Sequence, residues 1–503
     1  MKRLAALSLL ILIALVIFWR GSPQPEHTLT VAVTTDMKGL SPLLAFNVTG
    51  VMMQRHVYDS LVHFGPDGKI NPRLAVSWEL LDDNTWRFHL RQGVKFHNGY
   101  PFTATDVKFT LEWLLNARNR WNFGSYFASY DTIEVVDSHT IDIKTKIPDP
   151  LLPNVLAAFV GIVSKETFEE NEKQGVRHHA VGTGPFEFVS WEPNDRLTLT
   201  AVSDWYLPPP KVKTLVFRII PEMGTRVAEL QTGGVDIITD VPPFMVATLE
   251  DDDEIDVQSI ESLRAMHIIM DTTNVAALRD KRVRQALNYA VDKEAIVEGV
   301  LGGMGTPLGT HVPLRIAERS GPLLEPYPYD LEKARALLTE AGYSDGFPLN
   351  LYTPNGRYPM DRQVILAVAD QLGKAGIDTK VHVMESGTYI SKLIGREFEG
   401  IYLIGMASRD WDISHSLNEL DPSSFLSFHP DQALWETVKR TKATMDAGKR
   451  SEAAYEIRKI VHEDAIYLFL YNVKGIYAVS KEVVGFRAPS DEMMDLWTVS
   501  VRQ

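Results

Sequence analysis

Residues 348–405 read PLNLYTPNGRYPMDRQVILAVADQLGKAGIDTKVHVMESGTYISKLIGREFEGIYLIG. The hydrophobic period changes repeatedly along this stretch. Residues 348–353 read as a strand. Val364, Ile365, Val368 and Leu372 recur at helical spacing, and Gly376 closes that helix. Residues 377–383 read as a second strand, 389–394 as the core of a second helix, and 400–405 as a third, apolar strand. A β-α-β-α-β run with short links predicts parallel strands and an α/β fold. In open sheets of this kind, ligands sit in the crevice beyond the carboxyl ends of the strands. Three segments lie just past such ends: 354–358, 385–387 and 407–412. Arg357 and the group Arg409, Asp410, Trp411 and Asp412 are therefore expected to share one crevice.

Outward from this core, Asp330 is placed to cap a helix carrying Ala334, Leu337, Leu338 and Ala341, with Gly342 as its stop. Upstream, Val283, Leu287, Ala290 and Val291 mark a helix, and Asp292 caps another that runs to Leu301. Downstream, helices are expected over 432–445 and 451–463. The apolar segments IYLFLYN and KGIYAVS follow, and such a late return of strand-like sequence predicts that the C-terminus rejoins the first part of the chain. That first part opens with a strand over 28–35. It continues through a β-rich region over 70–100 and a helix capped by Thr105. A hairpin over 131–147 turns at Asp137, Ser138 and His139.

The chain has 503 residues, more than one ordinary core holds, so two lobes are expected. A net charge of −14 argues against a nucleic-acid partner, which would need clustered cations. The absence of cysteine excludes disulfides, thiolate metal sites and a lipid-modified cysteine, so the protein is not a lipoprotein. The acidic run 250–254 reads as a solvated face, and His178-His179 are adjacent residues that seldom face one metal. No metal and no cofactor are expected. At the N-terminus, Lys2 and Arg3 precede an apolar run of 16 residues, Leu4 to Trp19. A spanning helix needs about 20 residues. The segment reads either as a signal peptide or as an uncleaved membrane anchor, and in both cases the basic residues before it place the bulk of the chain outside the cytoplasm.

Five stretches carry a resemblance: residues 57–114 (VYDSLVHFGPDGKINPRLAVSWELLDDNTWRFHLRQGVKFHNGYPFTATDVKFTLEWL), 182–195 (GTGPFEFVSWEPND), 279–297 (RDKRVRQALNYAVDKEAIV), 329–343 (YDLEKARALLTEAGY) and 485–497 (GFRAPSDEMMDLW). They resemble the family 5 solute-binding proteins of ABC importers, the dipeptide, oligopeptide and nickel type. The resemblance implies a two-lobed periplasmic-binding-protein fold, type II of the large cluster, with a hinge. A leader or anchor with a linker would occupy 1–23. Lobe I would hold 28–262 with 474–503, including an extra subdomain over about 46–180. Lobe II would hold 263–473. It also implies a monomer without catalytic activity that hands a peptide or small-molecule ligand to an ABC permease. A membrane-tethered sensor is the alternative role.

The resemblance also bears on single residues. Gly356 to Asp361 resembles the stretch whose Arg holds the ligand carboxylate in dipeptide-binding relatives, with Arg357 in that position. Peptide-binding relatives carry G-W-x-x-D, whose Asp takes the ligand amine. Here the same place reads Gly405-Met406-Ala407-Ser408-Arg409, with Met406 for the Trp and Arg409 for the Asp. A second guanidinium favours an anionic group, which leaves opines, sugar phosphates and oligosaccharides open beside peptides. Asp410 or Asp412 would take the amine. Tyr358 and Asn47 are expected to face the cleft, Trp411 to offer a stacking surface, and Trp121 and Phe123 to form a lid. Each has a plainer reading: Arg357 paired with Asp361, residues 409–412 tied into a loop network, Trp411 packed in a core.

Overall fold

The structure is a computed structural model that describes residues 27–44, 47–116, 124–174 and 180–502. Its spine is an eleven-stranded sheet. Ten strands lie in the order Asp378–Glu385, Pro348–Asn355, Ile401–Ala407, Ile255–Met270, Tyr467–Ser480, Ile237–Ile238, Thr28–Val33, Thr214–Ile219, Arg196–Ala201 and Phe186–Glu192. The eleventh, Gly305–Pro307, pairs with Tyr467–Ser480. Pro348–Asn355 is parallel to both Asp378–Glu385 and Ile401–Ala407, as the opening stretch predicts. Ile401–Ala407 then joins Ile255–Met270 antiparallel.

Ile255–Met270 and Tyr467–Ser480 are long antiparallel strands that run from one wing of the sheet into the other. Their register shifts between Glu261 and Ala265, where one strand carries residues the other does not match. The two apolar pieces expected at 466–480 are one continuous strand. Val473, Lys474 and Gly475 stay in the ladder because Glu261 and Ile260 pair with Lys474 and Gly475.

Each wing buries its own apolar set. Leu349, Leu351, Val364, Val368, Leu287 and Ile268 pack together on one side. Ala32, Val227, Ile238 and Leu249 pack together on the other. A four-stranded antiparallel sheet, ordered Ala75–Asp82, Thr85–Leu90, Thr140–Thr145 and Tyr130–Asp137, stands apart from the spine. Helix Ala104–Leu115 packs on it.

The caps at Asp292 and Asp330 form as expected, each accepting from a backbone N–H three residues on. The cap of helix Ala104–Leu115 is Thr103, not Thr105. Thr103 is extended, its hydroxyl accepts from Thr105 N, and Asp106 reaches back to Thr103 N at 2.9 Å. The reciprocal pair satisfies two donors where Thr105 alone would satisfy one. The later helices span Gln432–Lys442 and Ala447–Glu463, the second capped by Asp446. Residues 1–23, His178-His179, Trp121 and Phe123 lie outside the described residues.

Candidate functional site

Strand Pro348–Asn355 leads into a turn organised by one carboxylate. Buried Asp361 accepts from the backbone N–H of Gly356 (3.1 Å), Arg357 (2.9 Å), Tyr358 (3.1 Å) and Arg362 (2.8 Å). Asp361 is thus committed to the backbone and does not pair with the Arg357 guanidinium. That guanidinium donates through Nε to the Tyr358 hydroxyl at 3.1 Å, and the residue stays exposed.

Tyr358 lies buried against the last turn of strand Ile401–Ala407. A Cβ on Gly405 would stand 2.8 Å from Tyr358 Cε1, so this approach requires glycine. The Arg264 guanidinium sits 6.0 Å from the centroid of the same ring. It donates to Gly405 O at 3.1 Å and to Glu492 Oε1 at 3.1 Å. Glu492 Oε2 accepts from Arg409 Nη2 at 3.3 Å. Arg357, Tyr358, Arg264, Glu492 and Arg409 therefore form one continuous row. Burial alone would push the Glu492 carboxyl up, but the guanidiniums of Arg264 and Arg409 outweigh it and hold the group below its ordinary range. Asp240 accepts from Thr34 Oγ1 and Thr239 Oγ1, both at 3.1 Å. Asp240 keeps solvent-exposed surface, yet the protein crowded around it, and then the charge of Glu492, push its carboxyl up, so Asp240 feels the same site.

Among the described residues, the others singled out in the sequence have these partners. Asp410 is buried, and its carboxyl is pushed up to about 8 by burial and then by Asp412. Its carbonyl accepts from Asn154 Nδ2 at 2.8 Å, which ties the loop to helix Leu152–Phe159. Asp412 Oδ1 accepts from Ser414 N (2.9 Å) and Ser414 Oγ (2.8 Å) and shapes its own turn. Trp411 has φ +55 and is 4 % exposed. Its Nε1 donates to Asp491 Oδ2 at 3.2 Å, and its ring packs near Phe64 and beneath Arg315 and Arg319. Asn47 caps helix Val48–Gln54, accepting from Gly50 N at 2.8 Å. Met406 is half-buried opposite Ala265. Tyr126 bonds His415 through its hydroxyl.

Three members of this neighbourhood escape a sequence reading: Arg264, Glu492 and Asp240. Arg264 carries a usable signal, a permanently charged guanidinium in the run SLRAMHIIM, whose other polar residues are Ser262 and His267. Among the described residues, no group of three or more His, Asp or Glu converges as a metal site, and no helix is long and apolar enough to cross a membrane.

Residues 69–424 match the model of the bacterial extracellular solute-binding proteins, family 5. The chain belongs to this family. As a family 5 protein it has the two-lobed fold and serves as the solute-binding component of an ABC transporter. It is 28% identical over 476 residues to the glutathione-binding protein GsiB of Pectobacterium atrosepticum, covering 92% of each chain. The periplasmic binding protein DppA of Helicobacter pylori, solved with the peptide STSA, superposes with TM-score 0.81 at 26% identity, covering 95% of this chain and 98% of that one. AgaA of A. tumefaciens R10, solved with agropinic acid, superposes with TM-score 0.79 at 25% identity, covering 95% of this chain and 99% of that one.

Proposed function

We propose that this family 5 receptor captures a peptide or peptide-like zwitterion between its lobes and delivers it to its permease. The observation that carries the reading is the charge order of the row. At one end, the exposed Arg357 guanidinium rests on Tyr358, donating to its hydroxyl and lying 5.4 Å from its ring centroid, and among the described residues it has no carboxylate partner, so its planar fork is open to a ligand carboxylate. Further along stands Asp240, which accepts from the hydroxyls of Thr34 and Thr239 and suits an amine, while Glu492 is already shared between Arg264 and Arg409. Asp240 takes the part that the sequence suggested for Asp410 or Asp412, which are buried or capped. The lobes divide near 262 and 474, where the register of the long strands shifts. The protein acts as a monomer on the outer face of the membrane, as a carrier rather than a catalyst.

A second reading has its own support. Two guanidiniums, Arg264 and Arg409, share the single carboxylate of Glu492, leaving a positive excess that suits a dianionic opine-like solute.

A thermal-shift screen of the full chain tests both readings, with di- and tripeptides, γ-glutamyl peptides, opines and neutral oligosaccharides. A ligand at 100 times its Kd adds about 2.7 kcal/mol. A peptide hit that disappears in Arg357→Ala supports the first reading. An opine hit that disappears in Arg409→Ala supports the second. Stabilisation by neutral sugars alone, unchanged by either substitution, overturns both.

A further inference from the structure

On the other side of the 486–493 segment from the row of charges lies a groove of about 990 Å³. Successive residues serve the two places. Glu492 bridges Arg264 and Arg409, while Asp491 holds the indole of Trp411, which lines the groove. The Trp411 ring lies among the groove-lining residues, while Arg409, two residues earlier, reaches Glu492.

The groove is cationic in a chain whose net charge is −14. Arg55, Lys211, Arg315 and Arg487 line it. Among the described residues, none of the four forms an ion pair with a carboxylate. Arg55 donates to His63 Nδ1 at 2.8 Å, and Arg315 donates to the Ser490 hydroxyl at 2.6 Å; both partners are uncharged acceptors. The two acids on the same wall are already committed. Asp495 accepts from His63 Nε2 at 3.1 Å, and Asp491 accepts from Trp411 Nε1 and from Met493 N. Asp491 and Asp495 keep their charge and act on Arg55 across the wall, so four cations against two carboxylates leave the concavity with a net positive field. Phe64, Ile260, Trp411 and Phe486 add apolar and aromatic wall. The volume falls at the upper end of small-molecule pockets, which run to about 1,000 Å³.

We propose that this groove is a second binding site, separate from the crevice, for an organic anion with an aromatic or apolar body. The arginines would take the acidic group and the aromatic wall the body. The inference stands on the groove alone and does not need the reading of the crevice.

Titration calorimetry of the full chain with naphthalenesulfonate tests it, with inorganic sulfate and naphthylmethanol as the two half-ligands. Naphthalenesulfonate is expected to bind at one site, about tenfold tighter than either half. Arg487→Met, at an exposed position that the fold does not need, should weaken it by about three- to tenfold, and Arg315→Met likewise. Equal affinity for naphthylmethanol would show plain apolar adhesion and overturn the proposal. So would an absence of binding, or an affinity untouched by Arg487→Met. Loss of binding in Arg357→Ala would place the probe in the crevice and overturn it as well.

Discussion

The guanidinium of Arg409 donates to the carboxylate of Glu492 at 3.3 Å, across 83 residues of chain. Arg264 holds the other oxygen. Glu492→Gln leaves two guanidiniums facing a neutral amide. The Glu492 side chain is 36% exposed, so water screens the interaction and the expected loss of stability is about 1–2 kcal/mol. The folded carboxyl titrates below its ordinary value of 4.5. The wild-type advantage is therefore complete above that pH and fades as the pH falls through the lower folded value. Acid denaturation curves of the two proteins should converge at low pH and separate above it.

Asp410 behaves in the opposite sense. Its folded carboxyl is raised from 3.8 to about 8, so folding favours the protonated form. Native stability tied to this group is full below 3.8 and is lost as the pH climbs towards 8. Asp410→Asn should stabilise by about 1–3 kcal/mol at pH 8 and by almost nothing at pH 4. Melting temperatures at the two pH values decide it; a substitution that destabilises equally at both would show that the carboxylate is ionised and paired.

The contact between Trp411 and the 65–68 turn should govern closure. Gly68 has φ +68, and a Cβ there would collide with the Trp411 ring. Gly68→Ala should cost about 1–3 kcal/mol through the clash and the strained backbone. It should also increase the radius of gyration measured by small-angle scattering. An unchanged radius would mean that this contact does not hold the two halves together.

Arg357 should matter for ligand and not for folding. It is exposed and, among the described residues, makes one side-chain hydrogen bond, so Arg357→Ala should leave the unfolding free energy of the ligand-free protein within about 0.5 kcal/mol of wild type. Affinity for a ligand carboxylate should fall by about 1.5–3 kcal/mol, roughly ten- to a hundredfold. Titration with any hit from the screen measures it.

Much of this arrangement was legible in the chain and some was not, for identifiable reasons. The parallel strands of 348–407 and the caps at Asp292 and Asp330 follow from local periodicity and short polar side chains, which act within a few residues. The turn at Arg357 was readable as a position, but not the use of Asp361, because four backbone donors are assembled only once the loop closes. The Arg264–Glu492 pair joins residues 228 apart, and no local pattern reports such a meeting. Trp411 shows a further limit. Four adjacent polar and aromatic residues read as facing one crevice, yet Arg409 reaches Glu492, Trp411 donates to Asp491 and Asp412 binds Ser414.

The register shift in the twin strands Ile255–Met270 and Tyr467–Ser480 carries a mechanical consequence. Two hydrogen-bonded rails that both continue into each half resist sliding and stretching, since either would break the ladder on both sides. Twist about their common axis leaves the ladder intact, and where the ladder is interrupted side-chain bonds take over, from Ser262 to Val473 and from Asn472 to Ser262. For the two rails torsion is the freedom that remains, and a ligand bridging the crevice arrests it. Little disorder is surrendered on closing, so a small solute with few contacts can still hold the jaws shut.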